Sequence, residues 1–154
     1  MQAILHTWSG GRQLVDRLAR SCPAEQADLI PGGFKNSWHW NVAHIVVTQQ
    51  LLSYQLSGLS PTVSAELVAW CRKGTDACEP PPQQYTATVD LILPTVVRFQ
   101  DDHAAGLFKD FQPYQTSAGI ELGDLQQAMA FNNLHEGIHV GYLMAMRRSL
   151  PPTA

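Results

Sequence analysis

Two histidines four residues apart, His135 and His139, have the spacing in this sequence that most clearly suggests chemistry. The apolar residues around them recur at helical spacing, so both imidazoles are expected on one face of a helix, one turn apart. With Glu136 they also form an H-E-x-x-H motif, in which a helix supplies two zinc ligands and the glutamate acts as the general base of a protease. The segment therefore predicts a metal site, and a zinc protease is the first function to weigh.

The residues after this motif argue against a protease. Such enzymes usually take a third ligand from downstream, but the chain beyond His139 contains no His, Asp, Glu or Cys. A catalytic metal needs about three protein ligands and an open position, so the third ligand must come from upstream. The remaining histidines are His6, His39, His44 and His103. His44 is the best candidate, because it lies in a strongly apolar run where a buried imidazole needs partners for both ring nitrogens.

Three other polar residues have more than one interpretation. His39 is expected near the start of a helix, at the mouth of the site or on the surface. His103 continues an apolar helical face and could be a fourth ligand or a substrate contact, or could join a polar patch with the aspartates before it. Glu136 projects roughly 100° away from His135 around the helix, which suits an interhelical partner better than a base.

The elements that must position these residues are predicted to be helices. Apolar periodicity, capping residues and helix breakers predict four long helices at about 4–21, 38–56, 89–111 and 124–149. A short helix is expected at 65–72, and Pro94 should kink the third long helix or mark its true beginning. The segments 75–84 and 112–123 are expected to be loops, and no segment shows the alternation of a strand.

The predicted fold is therefore all-α. It is a four-helix bundle with a short connector helix between the second and third long helices, and it forms one domain over residues 1–154. In such bundles, metal sites are built from side chains that point inward from different helices.

The composition limits the partners of the protein. Charged residues make up only 15% of the chain and the net charge is -3, so the surface favours self-association. No basic cluster is larger than the pair Arg147-Arg148, which is too small to predict nucleic-acid binding. Three cysteines without a C-x-x-C, no export signal and no apolar run of ~20 residues predict a cytoplasmic protein without a membrane partner.

Three segments of the chain resemble the DinB-like superfamily of four-helix-bundle proteins, the DinB/YfiT type. They are Asn36–Ile45, Arg72-Lys73-Gly74 before the proline-rich loop, and His135–Tyr142. The resemblance implies that one histidine of the second long helix and the H-x-x-x-H pair of the last one bind a divalent metal such as nickel or zinc. It thereby assigns the ligands as His44, His135 and His139.

The resemblance also implies functions. Members include S-transferases that use bacillithiol or mycothiol and a mycothiol-dependent maleylpyruvate isomerase, and they are often dimeric. The first hypothesis is therefore a metal-dependent thiol S-transferase or isomerase that acts on a small electrophile, takes its low-molecular-weight thiol from solution and forms a homodimer. The alternative is a non-catalytic metal-binding or dimerising helical module, which a fourth protein ligand or the lack of a cavity would favour.

Overall fold

The computed structural model describes residues 1–75 and 78–151, and most of these residues are helical. The elements are, in chain order, α1 (Gln2–Arg20), α2 (Trp38–Ser53), α3 (Ala65–Cys71), α4 (Tyr85–Val89), α5 (Ile92–Ala104), β1 (Tyr114–Gln115), β2 (Glu121–Leu122) and α6 (Leu125–Met146). Helix α6 packs against both α1 and α2, and α1 also packs against α5. The predicted all-α bundle, with α3 as a connector helix, is confirmed.

Helix α2 is the central element of the bundle. Fourteen of its sixteen residues are buried, because α6, α3 and α4 all pack against it. The Ser37 side chain caps its start by accepting a hydrogen bond from the Trp40 backbone N–H at 3.1 Å. Any polar side chain on α2 therefore has to find its partners within the protein.

Helix α6 agrees closely with the predicted last helix. The Asp124 carboxylate caps its start by accepting a hydrogen bond from the Gln127 backbone N–H at 2.7 Å. The helix continues without interruption through both histidines to Met146 and is followed by the 3-10 turn Arg147–Ser149. The predicted stop after this turn begins at Pro151, whereas Pro152 lies outside the described residues.

The third long helix is shorter than predicted at both ends. Pro94 lies in the first turn of α5, where its missing N–H costs no helical hydrogen bond, so it marks the beginning of the helix and does not kink it. At the other end, Gly106 has a φ of 72°, and the N–H groups of Gly106 and Leu107 donate to the carbonyls of His103 and Asp102. This Schellman arrangement ends the helix at Ala104, so the predicted extension to Phe111 is wrong.

The two predicted loops differ from expectation in one respect. The segment after α5 contains a small hairpin, in which Tyr114 pairs with Leu122 and Gln115 with Glu121, so the prediction of no strands is wrong here. Strands of two residues are too short to leave an alternating pattern. The described residues of the loop predicted at 75–84 carry no helix or strand, and residues 76 and 77 lie outside the described part of the chain.

The short helix α4 was not predicted as a separate element, because its five residues are too few for a periodic pattern. Within residues 1–75 and 78–151, no helix has the length and apolar character needed to cross a bilayer.

Candidate metal centre

The three histidines predicted as ligands lie together between α2 and α6. The Nε2 atoms of His44 and His135 are 3.3 Å apart, and the His139 ring centroid lies 4.9 Å and 4.6 Å from the centroids of these two rings. Each histidine offers one nitrogen, and the three nitrogens lie within 4.8 Å of one another. Two nitrogens bound at about 2.0–2.1 Å to a tetrahedral ion would be about 3.3 Å apart, so the arrangement has the dimensions of a metal site.

The orientation of His44 is set by the end of helix α3. Its Nδ1 lies 2.6 Å from the carbonyl oxygen of Cys71, which can only accept, so Nδ1–H is the donor. The Nε2 lone pair therefore faces the other two histidines, and its nearest protein donor is the Thr48 hydroxyl at 3.4 Å. The Trp40 indole stacks on the same imidazole with a centroid distance of 4.6 Å and an interplanar angle of 14°. Such outer contacts are what fixes the tautomer of a metal-binding histidine.

His139 is oriented in the same way by an asparagine of α2. Its Nδ1 lies 2.9 Å from Oδ1 of Asn41, while Nδ2 of Asn41 donates to the Ser37 carbonyl at 2.8 Å. The second hydrogen bond fixes which end of the amide faces the histidine, so Nδ1–H of His139 is the donor. Its Nε2 therefore keeps a lone pair.

His135 differs from the other two ligand candidates. Its Nδ1 is buried and has no hydrogen-bond partner among the described residues. The 3.3 Å distance between its Nε2 and that of His44 also fits a single N–H···N hydrogen bond. A hydrogen-bonded pair would leave His139 without a role, whereas a metal ion would use a lone pair of all three rings. The three imidazoles therefore fit a metal site better than a hydrogen-bonded pair of histidines.

All three imidazoles are held in the neutral form that binds metals. Burial, together with repulsion from the charged forms of His139 and His44 and from Arg12, lowers the pKa of His135 to about 3. Burial and His44 lower the pKa of His139 to about 4. Burial also lowers the pKa of His44, although the hydrogen bond to the Cys71 carbonyl opposes this shift. No proton has to be displaced from these rings near pH 7 before an ion binds.

Glu136 points away from the histidines and toward α1. Its Oε1 accepts hydrogen bonds from Trp8 Nε1 at 2.9 Å, Arg12 Nε at 2.9 Å and Asn132 Nδ2 at 2.6 Å. The interpretation as an interhelical partner is confirmed. Arg12 itself is completely buried and was not singled out from the sequence. The only signal for it is its position four residues after Trp8 and three before Val15, on the apolar face of α1.

A cavity of about 230 Å³ opens beside His44 and His135. Its apolar wall is formed by Leu51, Leu52, Leu56 and Phe131. Its polar lining residues come from α2, the turn after α2, the hairpin and the segment after α3. Within the described part of the chain, no fourth His, Cys, Asp or Glu joins the cluster of three. A neighbouring cavity and only three ligand candidates are typical of a metal site with an open coordination position, not of a closed structural metal site.

The structure contradicts the expectation that His39 lies at the mouth or on the surface. It is completely buried, with Nδ1 2.8 Å from Asp28 Oδ1 and Nε2 2.7 Å from Thr88 Oγ1. The carboxylate accepts from Nδ1–H, so Nε2 accepts from the Thr88 hydroxyl, whose oxygen in turn accepts from Gln83 Nε2 at 2.8 Å. The expectation failed because α4 and the segment Ala27-Asp28 pack against the first turn of α2, which periodicity cannot reveal.

His103 lies apart from the metal-site candidates. It is on α5, where its ring stacks near Phe99 and Phe108 at centroid distances of 6.0 Å and 6.4 Å. It borders a surface pocket together with His6 and does not belong to the cluster of three.

A helical bundle with three converging histidines on two of its helices is the class of protein that these observations define. The model of the DinB superfamily matches residues 7–143, which include all three histidines. The chain therefore belongs to the DinB superfamily, as its resemblance implied. Comparison with curated protein sequences yields no match.

Proposed function

We propose that this protein binds one divalent metal ion, nickel or zinc, through His44, His135 and His139 and is a thiol S-transferase or isomerase for a small electrophile. The observation that supports the proposal is the convergence of three neutral imidazoles beside an open cavity. When bound, the ion would act as a Lewis acid that lowers the pKa of a thiol or polarises a carbonyl group.

The residues of the chain would orient the ligands and shelter the reaction. The Cys71 carbonyl and Asn41 hold two of the rings, and the apolar wall of the cavity excludes water from the electrophile. Burial raises the pKa of the Cys22 thiol to about 11 and that of the Cys71 thiol to about 12, so neither is a nucleophile near pH 7. Cys78 is exposed and is not among the residues that line the cavity beside the histidines. The reacting sulfur would therefore come from a low-molecular-weight thiol in solution.

The two reaction types share their first step. The thiol gives up its proton to water, and the thiolate sulfur forms a bond to an electrophilic carbon. In the transferase, the leaving group departs with the electron pair of its bond to that carbon. In the isomerase, sulfur adds to a carbon–carbon double bond conjugated to a carbonyl group, whose oxygen takes the displaced electron pair as an enolate. The resulting single bond rotates, the enolate pair restores the double bond as the thiolate leaves, and the thiolate regains a proton from water.

Metal analysis of protein purified without a histidine tag tests the metal site. We expect about one ion per chain in the unaltered protein and almost none in His44→Ala, His135→Ala or His139→Ala. His103→Ala is the matched control, because it removes an imidazole outside the cluster and should keep the ion. Full occupancy in all three cluster variants would contradict the proposal.

Catalysis is tested separately with the cobalt-substituted protein. Titration with bacillithiol or mycothiol should change the absorption of the cobalt site, and the same thiol should accelerate the consumption of a small alkyl halide or of a cis-alkene acid. Metal binding without any thiol-dependent change would contradict the enzymatic part and favour a non-catalytic module.

An exposed apolar stripe on α6 supports the further proposal of a homodimer. Leu134, Ile138 and Met144 are 53%, 62% and 57% exposed, and a Cβ added at Gly137 or Gly141 on the same side would meet no atom. An apolar, charge-free helix face of this kind favours a protein partner, and small residues let two helices approach closely. A second copy of the chain would supply the same stripe, as a twofold interface requires.

The dimer is tested by sedimentation analysis. We expect the unaltered protein to be a dimer and Ile138→Glu to be a monomer that keeps its metal. Val97→Glu is the matched control, because Val97 is 57% exposed on a different helix. A monomeric unaltered protein, or equal effects of the two substitutions, would contradict this interface.

A further inference from the structure

The described residues that line the cavity beside the histidines carry one positive charge and no negative charge, and from this we infer the class of substrate. We propose that the cavity takes a small organic anion with an apolar body, whose anionic group pairs with Lys73. This inference rests on the proposed function, because the metal ion would lie at the end of the cavity formed by His44 and His135.

The first argument is electrostatic. Among the described residues that line the cavity there is no aspartate or glutamate, and Lys73 is the only one with a formal charge. The three histidines are uncharged ligands, so an ion bound by them would keep its full positive charge. A site with carboxylate ligands would cancel much of that charge. With such an ion bound, the cavity would carry positive charge both at Lys73 and at the histidines and would favour an anion over a neutral molecule.

The second argument is the position of Lys73. It follows α3, whose last residue, Cys71, holds His44 in place. The segment is anchored because Thr75 Oγ1 donates to the Arg72 carbonyl at 2.8 Å and accepts from Trp40 Nε1 at 3.2 Å. The backbone that carries the lysine is thus fixed relative to the histidines.

The third argument concerns the size and the remaining walls of the cavity. A volume of about 230 Å³ is below the range of about 300–1,000 Å³ that is usual for drug-sized ligands, so the enclosed part of the substrate is small. Leu51, Leu52, Leu56 and Phe131 provide the apolar wall that an aliphatic or aromatic body would contact. Across the cavity, the hairpin contributes the hydroxyl groups of Tyr114 and Ser117, which can donate hydrogen bonds to an anion.

The test compares two probes of nearly the same shape, 3-phenylpropionate and 3-phenylpropanamide, by calorimetric titration of metal-free and zinc-loaded protein. In the metal-free protein we expect the carboxylate to bind about fivefold more tightly than the amide, because only Lys73 contributes. In the zinc-loaded protein we expect a preference of more than about tenfold.

Two substitutions identify the residue responsible. Lys73→Met should remove the preference in the metal-free protein and leave amide binding unchanged. Arg72→Met is the matched control, because it removes the same charge from the neighbouring exposed position that does not line the cavity. Equal binding of the two probes to the unaltered metal-free protein, equal effects of the two substitutions, or no binding of either probe at millimolar concentration would overturn the inference.

The metal-free titration also separates this inference from the proposed function. Failure to take up zinc with a retained Lys73-dependent preference would contradict the metal site alone. Normal zinc uptake without that preference would contradict only the inference that an anionic group pairs with Lys73.

Discussion

Two histidines on the same helix, His39 and His44, have different surroundings in this protein. Both are buried on α2, five residues apart. Both nitrogens of His39 are occupied by protein groups, the Asp28 carboxylate and the Thr88 hydroxyl. His44 has one nitrogen held by the Cys71 carbonyl, and its other nitrogen faces two more imidazoles.

The comparison shows that burial alone does not mark a binding histidine. Burial lowers the pKa of both imidazoles and so keeps both neutral. What differs is the surroundings of Nε2, which in His39 accepts from a close hydroxyl at 2.7 Å and in His44 has a distant one, Thr48, at 3.4 Å. A saturated imidazole such as His39 stabilises the packing of its helix, whereas an imidazole whose lone pair is only weakly engaged and lies beside others can hold an ion. Four predictions test this contrast, and they follow in order of decreasing effect.

Zinc should stabilise the protein more than any single substitution weakens it. A ligand at about 1,000 times its dissociation constant raises the free energy of unfolding by about 4 kcal/mol. We expect a stabilisation of this size in urea denaturation of the unaltered protein and none in His135→Ala. His39→Gln should keep the zinc effect, because its ring makes no contact with the cluster. Loss of the zinc effect in His39→Gln would contradict the difference drawn between His39 and His44.

His39→Ala should destabilise the fold by about 3 kcal/mol. The substitution leaves a cavity among buried rings and removes the partners of Asp28 and of the buried Thr88 hydroxyl. Urea denaturation measures this cost, and metal analysis of the folded fraction should still find about one ion per chain. A smaller cost for His39→Ala than for His44→Ala in the metal-free protein would be the contradictory result.

Acid should destabilise the metal-free protein. Folding lowers the pKa values of His135 and His139 to about 3 and about 4. The ordinary pKa of a histidine in the unfolded chain is about 6.5, so below that pH the unfolded chain binds more protons than the folded protein. Stability is therefore fully present above pH ~6.5 and is lost as the pH falls from there toward 4. We expect a loss of about 2 kcal/mol between pH ~7.5 and ~5.5. A double His135→Gln, His139→Gln variant should show a smaller loss, and an unchanged slope would contradict the assignment.

Asn41→Ala should weaken metal binding without abolishing it. The substitution removes the acceptor that orients His139, and loss of such an outer partner typically lowers metal affinity about tenfold or more. Competition with a chromophoric zinc chelator measures the change. Asn133→Ala is the control, because this asparagine bonds the Ile4 carbonyl on the other side of α6. Equal effects of the two substitutions would show that Asn41 has no special role.

The sequence predicted the histidine cluster better than its surroundings. The i, i+4 spacing placed His135 and His139 on one helical face, and both the apolar run around His44 and the family resemblance pointed to His44 as the third member. The use of these residues as metal ligands stays a prediction. The partners of His39 could not be predicted, because Asp28 and Thr88 lie on segments that only tertiary packing brings together.

The helix boundaries show the same division between local and non-local information. The third long helix was predicted to continue to Phe111, but Gly106 ends α5 and is visible in the sequence as a helix-stopping residue. This boundary could therefore have been predicted correctly. The hairpin strands have two residues each and are defined by their pairing, which no local pattern records. The buried Arg12 is likewise explained by distant partners, Glu136 and the Ile45 carbonyl, which are 124 and 33 residues away in the sequence.

The end of helix α3 has a consequence for the energetics of binding. Cys71, which holds His44, and Lys73, which faces the cavity, are two residues apart on one anchored segment. An ion that orders His44 and an anion that orders Lys73 therefore act on the same piece of backbone. The ligand that binds first would order this backbone and so lower the entropic cost of binding the second. Linkage requires the resulting gain in affinity to be the same in both directions.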